Sequence, residues 1–180
     1  MSSKQQFNQQ LLSFLQSSPT PFHAVSQMAL LFEAAGFDFL DEGEHWSLQP
    51  AGKYYTTRNG SSIIAFVVGD DGFANGLRMV GAHTDSPCLK VKPSPEIAVC
   101  GTLQLGLEVY GGVLLNPWFD RDLSIAGRVL YETPEGGIAS VLLDFARPLL
   151  SIPSLAIHLD KEANSNRAVN KQVHLPAVIG

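Results

Sequence analysis

The chain has 180 residues, 45% hydrophobic and 16% charged, the balance of a polypeptide that packs a core rather than the charge-rich, apolar-poor one of a disordered segment. Its net charge of -5 comes with no long run of one sign, which argues against a track for nucleic acid or an anionic membrane as partner. The start, Met1 to Gln6, lacks the apolar core of a signal peptide, no run is long enough to span a bilayer, and Cys88 and Cys100 are too few for a disulfide framework or a thiolate zinc site, so a reducing cytoplasm is the expected compartment.

Phe7, Leu11, Phe14 and Leu15 fall on one stripe of an opening helix that Ser17-Ser18-Pro19 stops. A second helix follows, with Thr20 placed to cap it, Pro21 in its first turn, Phe22, Val25, Met28 and Phe32 on its buried face, and Gly36 at its end. From Gly52 the texture becomes β-branched and aromatic. Tyr54 to Arg58 and Ser62 to Val68 are predicted strands joined by Asn59-Gly60, a strong hairpin signal. Leu77 to Ala82 is a short apolar run read as a strand, which sets His83-Thr84-Asp85 at its carboxyl end, where ligands bind in α/β sheets.

Beyond Pro93 and Pro95 come short apolar or alternating runs punctuated by glycine: Ile97 to Val99, Thr102 to Val109, Val113 to Leu115, Leu123 to Tyr131 and Ile138 to Phe145. They predict a mostly β module with a boundary near residue 92. Leu155 to Leu159 reads as a further strand-like run, and Asn164 to Asn170 as a polar loop.

The chemistry is concentrated in Gly81-Ala82-His83-Thr84-Asp85-Ser86-Pro87. A neutral imidazole is a good zinc ligand, and a carboxylate two residues on can fix the ring or activate a neighbouring group. That makes His83 a candidate ligand and Asp85 its support; the plain alternative is a hydrogen-bonded turn after a strand.

The longer segment GAHTDSPCLKVKP, Gly81 to Pro93, resembles the metal-binding segment of the M18 aminopeptidases, the aspartyl aminopeptidase family. Matches follow in order at SPTPFHA (Ser18 to Ala24), WFDRDL (Trp118 to Leu123), LAIHL (Leu155 to Leu159) and around Asn170-Lys171, so the resemblance covers nearly the whole chain. It implies an α/β fold: residues 1–92 as the first part of a zinc-peptidase catalytic domain, then residues 93–180 as a β-rich inserted domain used for dimerisation and assembly. It further implies a cytoplasmic homo-oligomer, a dodecamer in the complete enzyme, that removes amino-terminal Asp or Glu from peptides with two Zn2+ ions per complete active site. His83 would bind one zinc, Asp85 would orient it in a catalytic role, and His158 would help to bind substrate in a neighbouring subunit. From spacing alone, the favoured reading of His158 is a strand histidine satisfied locally, and the resemblance reverses that preference.

In the family the bridging aspartate, the catalytic glutamate and the other ligands follow the inserted domain, and none has a counterpart here. With Ile179-Gly180 closing on an apolar run, the expectation is a shortened chain inactive by itself. The competing reading is a non-catalytic oligomerisation module that assembles with complete subunits. A third, a cysteine hydrolase built on Cys88, lacks an oxyanion element and an orienting pair, which leaves Cys88 as a buried structural residue. Asp120-Arg121-Asp122 reads as an ion-paired or backbone-bonded loop, and His23, His45 and His174 as residues without a ligand role.

Overall fold

The computed structural model describes residues 2–180. Its order is α1 (Ser3–Gln16), α2 (Pro21–Ala34), then strands β1 (Asp38–Phe39), β2 (Lys53–Arg58), β3 (Ser62–Val67), β4 (Cys88–Val99), β5 (Thr102–Tyr110), β6 (Ala126–Glu132), β7 (Ile138–Asp144), β8 (Leu150–Ser151) and β9 (Ala177–Ile179), with a short 3-10 turn at Asn116–Trp118. The chain is therefore mixed α/β, as expected. It divides into two compact units, one formed by residues up to Ser86 with Ala126–Leu143, the other by Pro87–Ile125 with Asp144–Gly180. The division anticipated at residues 92 and 93 thus differs from the packing, which changes at Ser86 and returns the β6–β7 pair to the first unit.

In the first unit both helix starts follow from their caps. Ser2 and Gln5 form a reciprocal capping box on α1, and Thr20 Oγ1 accepts from the His23 amide with Pro21 at the first helical position of α2. Gly36, at φ 78°, supplies the left-handed residue after α2. Asn59 and Gly60, at φ 54° and 63°, are the central residues of the turn between β2 and β3, closed by the Ser61 amide donating to the Arg58 carbonyl at 3.1 Å, with the positive φ pair that matches strand twist. β1 pairs in parallel with β2, and β2 antiparallel with β3, in the order β1-β2-β3. The buried apolar residues are Ala24 and Val25 of α2, Tyr54 and Tyr55 of β2, and Val68. Phe22, Met28 and Phe32 are half-buried on the anticipated face of α2, whereas Phe7, Leu11 and Leu15 of α1 stay exposed.

Tyr55 links α2 to this sheet, its Oη donating to Glu33 Oε1 at 2.5 Å. The hydrogen bond to the Glu33 carboxylate, then burial, then the carboxylate's charge push the phenol from its ordinary 10.0 up to about 12. A folded-state value above the unfolded one means that this contribution to stability is complete below pH 10 and is lost as pH rises toward 12. Tyr55→Phe is therefore expected to cost about 1 kcal/mol at neutral pH and to flatten the decline of Tm above pH 10. Thermal melts at pH 7, 10 and 11.5 test this, and an equally steep decline in both proteins would show that Tyr55 is not its source.

The second unit is a four-stranded antiparallel sheet in the order β4-β5-β9-β8. β4 runs straight through Pro93 and Pro95, which had suggested a boundary. It is an edge strand, and its register against β5 shifts between Val91 and Glu96; an edge strand with a bulge tolerates residues that cannot donate to the ladder. The core holds Leu107, Phe119, Leu150, Ile152, Leu175 and Ala177, with Trp118, Leu123 and Val169 among the half-buried residues packed on it.

Three anticipated strands are absent. Leu77 to Ala82 is irregular and forms no strand among the described residues, with Leu77 63%, Met79 85% and Val80 102% exposed. An apolar run becomes a strand only where a neighbour completes its ladder, and none lies alongside. Leu155 to Leu159 is also not a strand: Ile157, His158 and Leu159 form a turn in which the Leu159 and Asp160 amides both donate to the Ala156 carbonyl, at 2.8 and 3.1 Å. Val113 to Leu115 forms no strand either, while residues 164–170 are irregular as anticipated.

Candidate metal centre

His83 lies in an irregular segment of the first unit rather than at the end of a strand, because the preceding run is unpaired. The segment is anchored next to the β2–β3 turn by Thr84 Oγ1, which donates to the Ser61 carbonyl at 2.7 Å. His83 Nδ1 is 2.6 Å from the Asp85 carbonyl oxygen. A carbonyl can only accept, so Nδ1 carries the proton, and in the neutral ring Nε2 keeps its lone pair. The Asp85 carboxylate lies 3.6 Å from the same Nδ1, and the side chains of His83 and Asp85 are 79% and 43% exposed. The contact that fixes the ring thus runs through the Asp85 backbone carbonyl rather than through its carboxylate.

This arrangement fits a metal in its chemistry: one imidazole with its tautomer set, its distal nitrogen unprotonated and its side chain open to solvent. Among the described residues no group of three or more His, Cys, Asp or Glu side chains is placed to hold a metal ion. His83 therefore offers a single candidate donor, with no further His, Cys, Asp or Glu side chains grouped around it to complete a metal site among the described residues.

His158 sits in the second unit on the exposed crest of its turn. Beside the turn a groove of about 500 Å³ is lined by Phe119, Leu155, Leu159, Asp160, Arg167 and His174, among others. Asp120 lies in the left-handed region at φ 54°, and its Oδ1 accepts from the Ser154 amide at 2.7 Å. Hydrogen bonds from Ser154, helped by the charge of Arg167, hold the Asp120 carboxyl below the usual carboxylate range. The backbone-bonded reading of this loop is therefore correct for Asp120. Arg167, outside the expected site residues, stacks its guanidinium over the Phe119 ring at 4.3 Å. It also approaches Asp160 and Ser154, at 3.6 and 3.3 Å. Its only sequence signal was a lone cation in a polar loop.

His23 and His174 are engaged locally. His23 Nδ1 is 2.8 Å from Thr20 Oγ1, and His174 Nδ1 accepts from the Asn170 amide at 3.1 Å. Cys88 is half-buried in β4 rather than fully buried. No helix among the described residues is long and apolar enough to cross a membrane.

Residues 14–180 match the family model described as aminopeptidase I zinc metalloprotease (M18). A probable M18 family aminopeptidase 2 of Pseudomonas fluorescens is 55% identical over 177 residues, which are 98% of this chain and 41% of that protein. Among solved structures, a chain of the Ape4 and Nbr1 complex is 44% identical with a TM-score of 0.90, covering 94% of this chain and 33% of its own. The S. cerevisiae mApe1 dodecamer is 28% identical with a TM-score of 0.78, covering 99% and 48%. The chain spans about two-fifths of the length of the curated relatives it matches. On the extent of the family match and the agreement of fold, this chain belongs to the M18 aminopeptidase family of zinc metalloproteases.

Proposed function

We propose that this chain forms the first part of a cytoplasmic metalloaminopeptidase that removes amino-terminal aspartate, and less readily glutamate, from peptides. The observation that carries the reading is His83, whose Nδ1–H is committed to the Asp85 carbonyl while Nε2 stays available to a metal. Zinc, two ions in the complete site, would when bound supply a Lewis acid for the scissile carbonyl and a water acidic enough to act near neutral pH. His83 holds its ring in the ligating tautomer, and the Asp85 carbonyl keeps that ring oriented. His158, on an exposed turn, would present an imidazole to the peptide bound in a neighbouring copy; the relative solved as a dodecamer supports oligomeric assembly. The catalytic base and the acidic-residue pocket are assigned to parts of the enzyme outside this chain. Residues 93–180, most of which fall in the β-rich second unit, would serve assembly.

The test is metal content and hydrolysis of Asp-, Glu- and Leu-amide substrates by the full-length protein. His83→Ala is expected to lose one metal equivalent and at least about a hundredfold in activity. Asp85→Asn should keep the metal and lose about tenfold, the low end for an outer partner, because the carbonyl that fixes the ring survives the substitution. Full activity in both variants would remove the metal reading, and a preference for Leu over Asp would remove the acidic specificity. A second reading, an assembly module without turnover, draws on the two-fifths span of the relatives. Zinc stoichiometry and turnover of residues 1–180 expressed alone separate it from the first.

A further inference from the structure

We propose that Arg167 and Asp120 are positioning residues for His158, clasping the two ends of the 154–160 loop so that its crest is a fixed projection. The inference rests on the reading of His158 given above. The crest has little of its own to hold it: Leu155, Ile157 and Leu159 are 58%, 46% and 74% exposed, and two amides share one carbonyl, that of Ala156. A segment with so few buried contacts opens readily unless its ends are fixed.

The ends are fixed from outside the loop. At the first, the Ser154 amide donates to Asp120 Oδ1 at 2.7 Å, and Asp120 is itself tied down by its amide, which donates to the Ile152 carbonyl at 3.0 Å. At the second, Arg167 Nε lies 3.6 Å from Asp160 Oδ2. Arg167 Nη1 donates across the mouth of the loop to Ser154 Oγ at 3.3 Å, so one guanidinium touches both ends. Its plane is set by the ring of Phe119, 4.3 Å away and 8% exposed within the core. The Arg167 and Asp160 side chains are 21% and 25% exposed, so water screens the pair less than an open surface pair. A lysine would keep the charge but lose both the stacking plane and the reach to two partners.

Two measurements test the clasp. In the chain of residues 1–180, hydrogen exchange at the Leu159 and Asp160 amides, which donate to the Ala156 carbonyl, is expected to accelerate about tenfold in Arg167→Ala and nearly as much in Arg167→Lys, with the Leu107 amide of β5 unchanged. Asp120→Asn should accelerate it less, since the amide oxygen still accepts. In the full-length enzyme, Arg167→Ala should raise KM more than it lowers kcat, leave metal content intact, and have no further effect in a His158→Ala background. Unchanged loop exchange overturns the clasp whatever the activity. Faster exchange with an Arg167→Ala loss that persists undiminished in the His158→Ala background overturns the positioning role. Full activity of His158→Ala by itself overturns the reading on which the proposal rests, and is distinguishable because exchange is read without catalysis.

Discussion

Leu175→Ala is expected to destabilise the second unit by about 2–5 kcal/mol, the range for removing a fully enclosed leucine side chain. Leu175 has 0% exposure and lies among Leu107, Phe119, Leu150, Ile152 and Ala177. It lies two residues before the start of β9, the strand that joins β5 to β8, so the cavity would open beside the strand on which the sheet's continuity depends. Pro176 restricts how far the backbone can collapse into the space. A unit resting on six buried apolar residues belongs at the low end of the roughly 5–15 kcal/mol typical of domains, so the loss is a large share of the total. Urea unfolding followed by Trp118 fluorescence in a Trp46→Phe background reports on this unit, since these are the only tryptophans and Trp118 packs on the core. Leu114→Ala, at a residue 77% exposed, should change stability by less than about 0.5 kcal/mol. Equal midpoints for the two variants would mean that Leu175 is not a centre of this core.

What the sequence made legible was local. Thr20-Pro21, Gly36 and Asn59-Gly60 each dictate their own backbone within a few residues, and each stands where it was anticipated. The misreadings share one cause, because strand formation depends on a partner that a single segment does not encode. Leu77 to Ala82 has the composition of a buried strand and no ladder beside it. Leu155 to Leu159 has the same texture, yet its backbone closes on the Ala156 carbonyl. Conversely, β8 and β9 are only two and three residues long, too short for periodicity to register, and they exist because β5 and each other lie alongside.

The candidate site divides in the same way. His83 and Asp85 are two residues apart, so their pairing could be anticipated from spacing, although the contact runs through the Asp85 carbonyl where a carboxylate had been expected. Asp120, Ser154, Asp160 and Arg167 are scattered along the chain and meet only through the fold. Composition marks Arg167 as an ordinary surface cation; its stacking on a core phenylalanine gives it a fixed place. Local chemistry thus named the candidate ligand, and long-range packing named the residues that would hold the second histidine.

Mixing two inactive full-length variants, His83→Ala and His158→Ala, is expected to restore activity that neither has alone. If each active site combines His83 of its own subunit with His158 of a neighbour, a site in which a His158→Ala subunit receives the loop of a His83→Ala subunit contains both intact histidines. In equal, random mixtures about a quarter of the sites meet that condition in a symmetric assembly, so activity should rise from near zero to about a quarter of the unmutated level. The exposure of His158 on a turn makes such reach available. The subunits must be co-refolded or co-expressed with different tags and isolated by tandem purification, so that every assembly measured is mixed. Adding His83→Ala and His158→Ala to the same chain and mixing it with an unmutated chain supplies the comparison: random placement again gives about a quarter of sites with both histidines intact, and activity should match that of the complementing pair. If purified mixtures of the two single variants stay inactive while this comparison mixture is active, His158 acts within its own subunit, and presentation across the interface is wrong.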